Sequence, residues 1–222
     1  MRLPLEESLA LYRKLGDKDG IGSCLHLLGQ LALYQSDTAT ASSLAEESVV
    51  LFRELGNRQD LAWGLSFLAS VVAAQGNYAA AQAFYEESLA LRRAVGHKGE
   101  IASGLEGLAH VLTMRGQHTW AVQLWGAAEV LREAIGSPLS PIDSASYERD
   151  VASAHAHLGK KAFAAAWAEG RTMSLEQALA AEGRETVPEI VPAGQLTASP
   201  AKSRPNLCWF SAYLAPVPSR GV

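Results

Sequence analysis

The chain contains 222 residues, of which 48% are hydrophobic, and its formal net charge at pH 7 is −4. This composition indicates a soluble, well-packed body, and it argues against a nucleic-acid-binding stripe, which would need a far more basic balance. No apolar stretch approaches the roughly 20 residues that span a bilayer, and the N-terminus lacks the pattern of a secretory signal, so we expect a cytoplasmic protein. Two cysteines, Cys24 and Cys208, do not make a disulfide framework.

A pair formed by an aliphatic residue and a glycine recurs every 40 residues over the first 136 positions. The four pairs are Leu15-Gly16, Leu55-Gly56, Val95-Gly96 and Ile135-Gly136. A Glu-Glu-Ser triplet keeps the same spacing at 6–8, 46–48 and 86–88, as do the leucines at 11, 51, 91 and 131. A fixed period of this length is the signature of a repeat array, in which one supersecondary unit is stacked on itself.

The apolar residues of each unit follow helical spacing, and no sustained alternation suggests strands. We therefore predict an all-α solenoid of antiparallel helical hairpins with a 40-residue period, in which a terminal glycine ends each second helix. The expected units are a half repeat at 1–16 and repeats at about 17–56, 57–96 and 97–136. First helices are expected near 20–35, 60–75 and 100–115, and second helices near 39–55, 79–95 and 119–135.

A different pattern follows the last repeat and predicts a C-terminal helical cap over 137–183. Ser137-Pro138 and Ser140-Pro141 interrupt the helix, and a new helix is expected from about 143 to 157, with Gly159 ending it. Phe163 and Trp167 are four residues apart, so we expect both to plug the last repeat.

Ser174 and Gln177 match a capping box, which would start a short helix that runs to about 182. From Arg184 onward regular apolar spacing stops and prolines concentrate. We predict that 184–222 is a disordered tail.

The repeat units resemble the tetratricopeptide (TPR) family. The middle repeat carries the resemblance through Leu68-Ala69, Val72, Gly76, Tyr78, Ala81, Tyr85 and Ser88-Leu89. The third carries it through Leu108-Ala109, Leu112, Gly116, Ala121, Trp125 and Ala128. The first repeat is a weaker match, because Ser36 stands where the turn glycine is expected and Ala45 where a large aromatic is expected.

This resemblance implies a protein-binding groove lined by one side of the first helices. The lining would be Ser23, His26, Gln30, Trp63, Ser66, Ser70, Ser103, Glu106, His110 and Thr113. It lacks the cluster of Lys and Arg that would clamp a peptide carboxylate, so that role is disfavoured. Trp63 is the expected anchor if its indole is exposed; the alternative is that it packs between first helices of adjacent repeats.

The segment from about 120 to 180 resembles the end of the TPR region in large bacterial regulators that join a STAND-type ATPase to TPR repeats. The resemblance rests on LWGAAEVLREAIGSPLSP, on YERDV near 147 and on FAAAWAEGRTMSLEQALA from 163. In that family a LuxR-type DNA-binding domain commonly follows or precedes. The resemblance implies the C-terminal part of such a TPR array, without the ATPase or an intact DNA-binding domain.

Gly194-Gln195-Leu196-Thr197 is similar to the start of a LuxR-type domain, but Ala198-Ser199-Pro200-Ala201 follows where an Arg-Glu pair is expected. We hypothesise a frameshift or truncation close to Thr197, after which Cys208, Trp209 and Phe210 have no evolved role. The alternative is an ordinary disordered tail.

Met1 falls where Ala41, Ala81 and Ala121 stand in the repeat, so the chain begins inside a second helix. We expect Leu5, Leu9 and Leu11 to form an exposed packing face, because their neighbouring first helix is missing. There are two alternatives. This face packs on another chain, for example in a homodimer, or the chain is a fragment of a longer protein. We favour the fragment.

No constellation of residues indicates catalysis, a metal site or a cofactor. There is no GxxxxGK phosphate loop. His155 and His157 are two residues apart and point to different helix faces, and the Glu46-Glu47 and Glu86-Glu87 pairs do not converge on one point. Arg13, Arg53 and Arg93 lie in last turns, where a cation complements the helix dipole.

Two classes of function remain. We favour a non-catalytic TPR interaction or sensor module that binds an inducer, a protein or peptide, or the ATPase domain of its own regulator, without direct contact to nucleic acid or membrane. The alternative is a free-standing TPR adaptor or self-associating scaffold.

Overall fold

The computed structural model describes residues 2–139 and 141–179, and these ranges are almost entirely helical, with no strand. The helices are α1 Arg2–Leu15, α2 Lys18–Tyr34, α3 Thr38–Leu55, α4 Arg58–Ala74, α5 Tyr78–Val95, α6 Lys98–Met114, α7 His118–Ile135, α8 Pro141–Gly170 and α9 Leu175–Leu179. None of them combines the length and apolarity that a membrane span requires. The predicted tail at 184–222, with the 194–197 motif and Cys208, lies outside the described residues.

Each predicted hairpin is present as two consecutive helices that pack on each other: α2 with α3, α4 with α5, and α6 with α7. Hairpins stack in order, because α3 packs on α4 and α5 packs on α6, while the first helices α2, α4 and α6 contact one another in sequence. The helix bounds lie within about two residues of those predicted. The fold is all-α and consistent with a TPR-like solenoid.

Side-chain caps mark the start of α2, α3, α4 and α5. Each cap accepts a hydrogen bond from the backbone N–H three residues ahead, which the first turn otherwise leaves without a partner. The pairs are Asp17 with Gly20, Asp37 with Thr40, Asn57 with Asp60 and Asn77 with Ala80. The second helices end at left-handed glycines, with φ of 68° at Gly56, 81° at Gly96 and 63° at Gly136.

The turn inside each hairpin also needs a left-handed residue, and the first hairpin supplies it without a glycine. Gly76 and Gly116 have φ of 84° and 76°, and Ser36 has φ of 62° at the equivalent place. Ser36 is the one non-glycine residue with positive φ in the described ranges. The backbone therefore keeps the repeat geometry at Ser36 despite the steric cost of a Cβ atom.

Small and aromatic residues face each other between helices. A Cβ atom on Gly29 would lie 2.7 Å from Cε1 of Phe67, and one on Gly107 would lie 2.5 Å from Cζ of Tyr85. Phe67, Tyr85 and Trp125 are buried. Small residues make room for close approach, and Tyr85 and Trp125 fill the volume between helices.

The apolar face of α1 differs from the prediction for Leu5 and Leu9. Leu9 is only 8% exposed, since it packs with Cys24, Leu25 and Leu28 of α2, and Leu5 is half-buried against the same cluster. Leu11 is exposed, together with Leu3 and Leu15. The reason is that α2 covers the side of α1 that carries the i, i+4 pair Leu5 and Leu9.

Arginines in the last turns of second helices tie consecutive repeats together. Nη2 of Arg13 lies 3.2 Å from Oε1 of Glu47, and Nη2 of Arg53 lies 2.7 Å from Oε1 of Glu87. Both pairs span 34 residues, so they join α1 to α3 and α3 to α5. Both arginines lie in the last turn of their helix, where a positive charge interacts favourably with the helix dipole, as predicted. Their ion pairs with glutamates of the next repeat are an additional role.

Gly159 interrupts the cap helix without ending the cap. Its φ of 75° and ψ of 160° are non-helical, yet the chain resumes a helix at once and continues to Gly170. The predicted helix end at Gly159 is therefore a break between two segments of α8. Phe163 and Trp167 lie in the second segment, are half-buried against the core and stack with ring centroids 5.6 Å apart, as their predicted role as plugs requires.

The cap and α7 approach each other backbone to backbone. A Cβ atom on Gly126 would lie 2.5 Å from the carbonyl oxygen of Trp167, and one on Gly170 would lie 2.0 Å from that of Gln123. The predicted capping box follows: Gln177 N–H donates to Ser174 Oγ at 3.2 Å, and Ser174 N–H donates to Gln177 Oε1 at 2.7 Å. The short helix α9 that this box starts packs on α5 and α7.

Candidate protein-interaction surface

The ten predicted groove residues all lie on the first helices α2, α4 and α6, but the structure does not leave all of them accessible. His26, Gln30, Glu106 and Thr113 are buried. Ser23, Trp63, Ser66, Ser70 and His110 are half-buried, and Ser103 is exposed. We call these last six the accessible first-helix residues.

His26 and Trp63 join the first two hairpins. Their rings stack with centroids 3.4 Å apart and an interplanar angle of 25°, and His26 also lies 4.9 Å from the ring of Phe67. Trp63 is thus half-buried between α2 and α4, the second of the two arrangements considered for it. One face of the indole is committed to His26.

His26 is an uncharged core residue. Burial lowers the pKa of His26 to about 3. Its Nε2 lies 3.0 Å from Nε2 of Gln30, and since the amide group donates, the ring carries its proton at Nδ1. Among the described residues Nδ1 has no hydrogen-bond partner, which makes a charged ring still less favourable.

The serines of α4 are bonded inward to α5. Ser66 Oγ lies 2.8 Å from Ser88 Oγ, and Ser70 Oγ lies 2.8 Å from the hydroxyl of Tyr85. Burial raises the pKa of Tyr85 to about 12, so this hydroxyl stays neutral. These contacts fix the pairing of α4 with α5 and leave only part of each serine for a ligand.

The residues on α6 meet α7 and α8. Arg132 of α7 donates twice to the carboxylate of Glu106, at 2.5 and 2.7 Å, and once to Ser103 Oγ at 3.2 Å. Nδ1 of His110 lies 2.7 Å from Oδ2 of Asp150 in α8. The cap therefore packs against α6, on the side where another repeat would continue the array.

A cavity of about 430 Å³ lies between α6, α7 and α8. The buried residues Trp125 and Glu106 line it, together with the half-buried Arg132 that pairs with Glu106. The remaining lining residues are Glu129, Glu133, Gly136, Ser137, Pro138, Leu139 and Tyr147. Of all these, only Glu106 belongs to the predicted groove.

The charges around this cavity are arranged in two groups. Arg132 neutralises the buried Glu106, whereas Arg171 of the cap binds both Glu129 and Glu133 at the rim. The pKa of Tyr147 is raised by burial and by the nearby carboxylates of Glu106 and Glu129. Burial and repulsion by these carboxylates would also act on a negatively charged ligand in the cavity, so an anionic ligand is disfavoured.

One sequence signal could have pointed to this cavity. The repeat ladder places Tyr12, Phe52, Arg92 and Arg132 at equivalent positions. Phe52 is fully buried there, so an arginine at the same position must find a buried partner. The cavity itself could not be predicted, because it depends on how residues 136–139 and α8 dock on α7.

The histidines noted in the sequence do not converge. The ring of His155 lies 5.0 Å from that of Phe163, and the ring of His157 stacks on His118 at 4.2 Å. Within residues 2–139 and 141–179, no group of three or more His, Cys, Asp or Glu side chains could hold a metal ion.

Residues 60–125 match the family model for the tetratricopeptide repeat. The match covers α4 to α6 almost completely and the first part of α7. A comparison with curated proteins found no match. The family match and the stacked hairpins together support a TPR region, a class of non-catalytic repeat scaffold that generally mediates protein–protein interaction.

Proposed function

We propose that this chain is a non-catalytic protein-interaction module that binds a peptide or protein segment across the first helices α2, α4 and α6. The TPR match over 60–125 is the observation that carries the proposal. The accessible first-helix residues give the surface a mixed, mildly polar character, and Trp63 supplies its aromatic contact. The protein acts in the cytoplasm, without direct contact to nucleic acid or membrane.

The test is a selection from a displayed random-peptide library with the full chain as bait. Enriched peptides should bind wild type, and Trp63→Ala should weaken them at least tenfold, because it removes the largest accessible aromatic area on this surface. Trp120→Ala is the matched control, since Trp120 is also half-buried but lies on the second helix α7. Equal losses in both variants, or none in either, would contradict the proposal.

We further propose that the module is of the kind found in ATPase-linked LuxR-type regulators, with the regulator's own ATPase domain as a candidate partner. The resemblance of residues 120–180 supports this relation. Reading the coding DNA in three frames upstream of Met1 and downstream of Thr197 tests it. Recovery of a first helix upstream and of an Arg-Glu pair with a helix-turn-helix downstream is expected, and non-coding flanks in every frame would overturn it.

A second candidate is a self-associating scaffold, which the exposed side chains of α1 favour. Leu3, Leu11 and Leu15 are 72%, 60% and 77% exposed on one helix. Light scattering after gel filtration tests it: a dimer that dissociates in Leu11→Lys, but not in the control Val50→Lys, would support this candidate. A monomer at all concentrations would exclude it.

A further inference from the structure

Gly159 forms a bend that divides α8 into two segments, residues 141–158 and residues 160–170. Its φ of 75° and ψ of 160° are non-helical. The rings of His155 and Phe163, on either side of the bend, lie 5.0 Å apart, although eight residues of straight helix would separate their backbones by about 12 Å. A Cβ atom on Gly159 would meet nothing within 4 Å, so the bend has space for its backbone to rotate.

The two segments of α8 are held to the array by different contacts. The second segment ends in the close backbone contact between Gly170 and α7. The first segment makes side-chain contacts, in which Tyr147 meets Trp125 edge to face and Asp150 binds His110 of α6. Rotation at the bend would therefore release the first segment while the second stays docked.

A pair of histidines lies where the first segment meets the start of α7. The ring of His157 stacks on that of His118 with centroids 4.2 Å apart and an interplanar angle of 21°. His118 is half-buried, and among the described residues its buried Nδ1 has no hydrogen-bond partner. A charged ring would carry an N–H at Nδ1 without an acceptor, so the docked arrangement favours an uncharged His118.

The position of His118 in the fold gives this preference a direction with pH. Burial lowers the pKa of His118, and the charge that His157 can carry lowers it further. His118 is also the first residue of α7, where the helix dipole disfavours a cation. Because its ordinary pKa is 6.5, this contribution to docking is fully present above pH 6.5 and is lost as the pH falls below that value.

The charged side chains near the stack do not all act in the same direction. Lys160 and Lys161 are exposed just beyond the bend and add positive charge. Arg115 of α6 hydrogen-bonds to α5. Protonation of His110 would strengthen its contact with Asp150 and oppose release of the first segment. The contribution of the stack must therefore be measured by itself, with variants that change only the stacked rings.

We propose that residues 141–158 form a flap, which turns about Gly159 away from α6 and α7 when the stacked histidines become charged. Opening gives both stacked rings access to water. It also removes Asp150 from His110, one of the accessible first-helix residues, so the flap controls how much of α6 a partner can reach. The proposal goes beyond the proposed function, because the opening is a property of the chain without any partner.

Amide hydrogen exchange of the full chain tests the flap, since an undocked helix of this length is marginal by itself and its amides then exchange. Protection factors are corrected for the intrinsic pH dependence of exchange. Residues 144–158 of wild type should lose about threefold or more of their protection between pH 7.5 and 5.5; one proton bound on opening limits the change to about tenfold per pH unit. Residues 160–170 should lose clearly less, because loss of stability through His26 would act on both segments alike.

Three variants isolate the stack. His118→Tyr keeps a ring that does not titrate in this range, and Tyr78 stands at the equivalent position one repeat earlier. It should reduce the change over residues 144–158 to less than about twofold. His157→Phe should reduce the change in part, because His118 remains. His97→Gln is the control, since His97 is an exposed histidine at the start of α6, and it should keep the wild-type response.

The proposal is overturned if wild type loses no protection over residues 144–158, if both segments lose protection equally, or if His118→Tyr keeps the full wild-type response. Low protection of the first segment of His118→Tyr already at pH 7.5 would mean that the variant does not dock. His157→Phe then decides: a response smaller than that of wild type supports the flap, and an equal response overturns it.

Discussion

At the residue scale, the first hairpin shows what the repeat geometry imposes on an unsuitable side chain. Ser36 occupies the left-handed turn position with φ of 62°, where the next two hairpins have glycine. A Cβ atom in this conformation costs about 1–2 kcal/mol, which the packing of α2 on α3 must offset. The weaker TPR resemblance of the first repeat therefore has a local energetic consequence.

Ser36→Gly should raise the free energy of unfolding by about 0.5–1 kcal/mol, because relief of the left-handed strain exceeds the added entropy of a glycine in the unfolded chain. Urea denaturation of wild type and variant measures the change. Ser43→Gly is the matched control, since Ser43 is exposed in the middle of α3, where glycine should destabilise by about 0.5 kcal/mol. The same sign in both variants would contradict the explanation.

His26 predicts a dependence of stability on pH. Its pKa falls from 6.5 to about 3 on folding, so its contribution is fully present above pH 6.5 and is lost as the pH falls toward 3, where the unfolded chain binds a proton that the folded chain excludes. The loss approaches about 1.4 kcal/mol per pH unit between pH 6 and 4. Buried carboxylates such as Glu46 and Glu106, whose pKa values burial raises, act in the opposite direction.

The difference between wild type and His26→Gln therefore isolates this effect. Denaturation at pH 7, 6, 5 and 4 should show that wild type loses stability relative to the variant as the pH decreases. His97→Gln, at an exposed histidine, should change the profile little. A constant difference between wild type and His26→Gln at all four pH values would show that His26 titrates normally.

At the scale of elements, the cap is held to the last hairpin by backbone proximity. Gly126 in α7 and Gly170 at the end of α8 leave no room for a Cβ atom, because backbone carbonyls of the opposite helix lie within 2.5 Å of where it would be. Charged side chains reinforce the contact, as Arg171 binds Glu129 and Glu133. Exposed ion pairs of this kind contribute little to stability, so the close packing should dominate.

Gly170→Ala and Gly126→Ala should each destabilise the cap by about 1–3 kcal/mol, because the backbone cannot shift as a flexible side chain would. Loss of the Trp167 signal in fluorescence or in the indole region of an NMR spectrum reports undocking of α8. Gly99→Ala is the control, since its Cβ atom would lie 3.4 Å from the flexible Ile135 Cδ1. If the three variants behave alike, close backbone contact is not what holds the cap.

At the scale of the whole molecule, each repeat contacts mainly its neighbours, as in other solenoids. Helices α4, α5 and α6 are covered on both sides, whereas α1 and the cap lie at the two ends of the described array. Stability should therefore be highest in the middle and decrease toward α1 and α8. The cross-repeat pairs Arg13–Glu47 and Arg53–Glu87 link neighbours without extending this range.

Amide hydrogen exchange of the full chain should show the slowest exchange in α4 to α6 and faster exchange in α1 and α8. Gly170→Ala should accelerate exchange in α8 and the facing part of α7, but not in α2 or α3. Mass spectrometry of proteolytic fragments measures both. If exchange is equally slow along the whole array in wild type, and Gly170→Ala accelerates it everywhere, the array unfolds as one cooperative unit instead.

The predictions that were confirmed depend on local rules. Gly56, Gly96 and Gly136 end helices, as predicted, because of their own backbone freedom. The caps Asp17, Asp37, Asn57 and Asn77 were not among the predictions, although they also act locally, through a hydrogen bond three residues away. The capping box at Ser174 and Gln177 is equally local. The ATPase-linked origin and the domain boundaries stay predictions.

The sequence alone determined the all-helical hairpins, their order and most of their bounds, because the helical spacing of apolar residues and the terminal glycines act within one hairpin. The tertiary structure decided which side chains are accessible. It buried Leu9 beneath α2, stacked Trp63 on His26 and placed Arg132 against Glu106. The cavity at Trp125 and Tyr147 exists only because α8 docks on α7, and such contacts between distant segments leave no periodic signal in the chain.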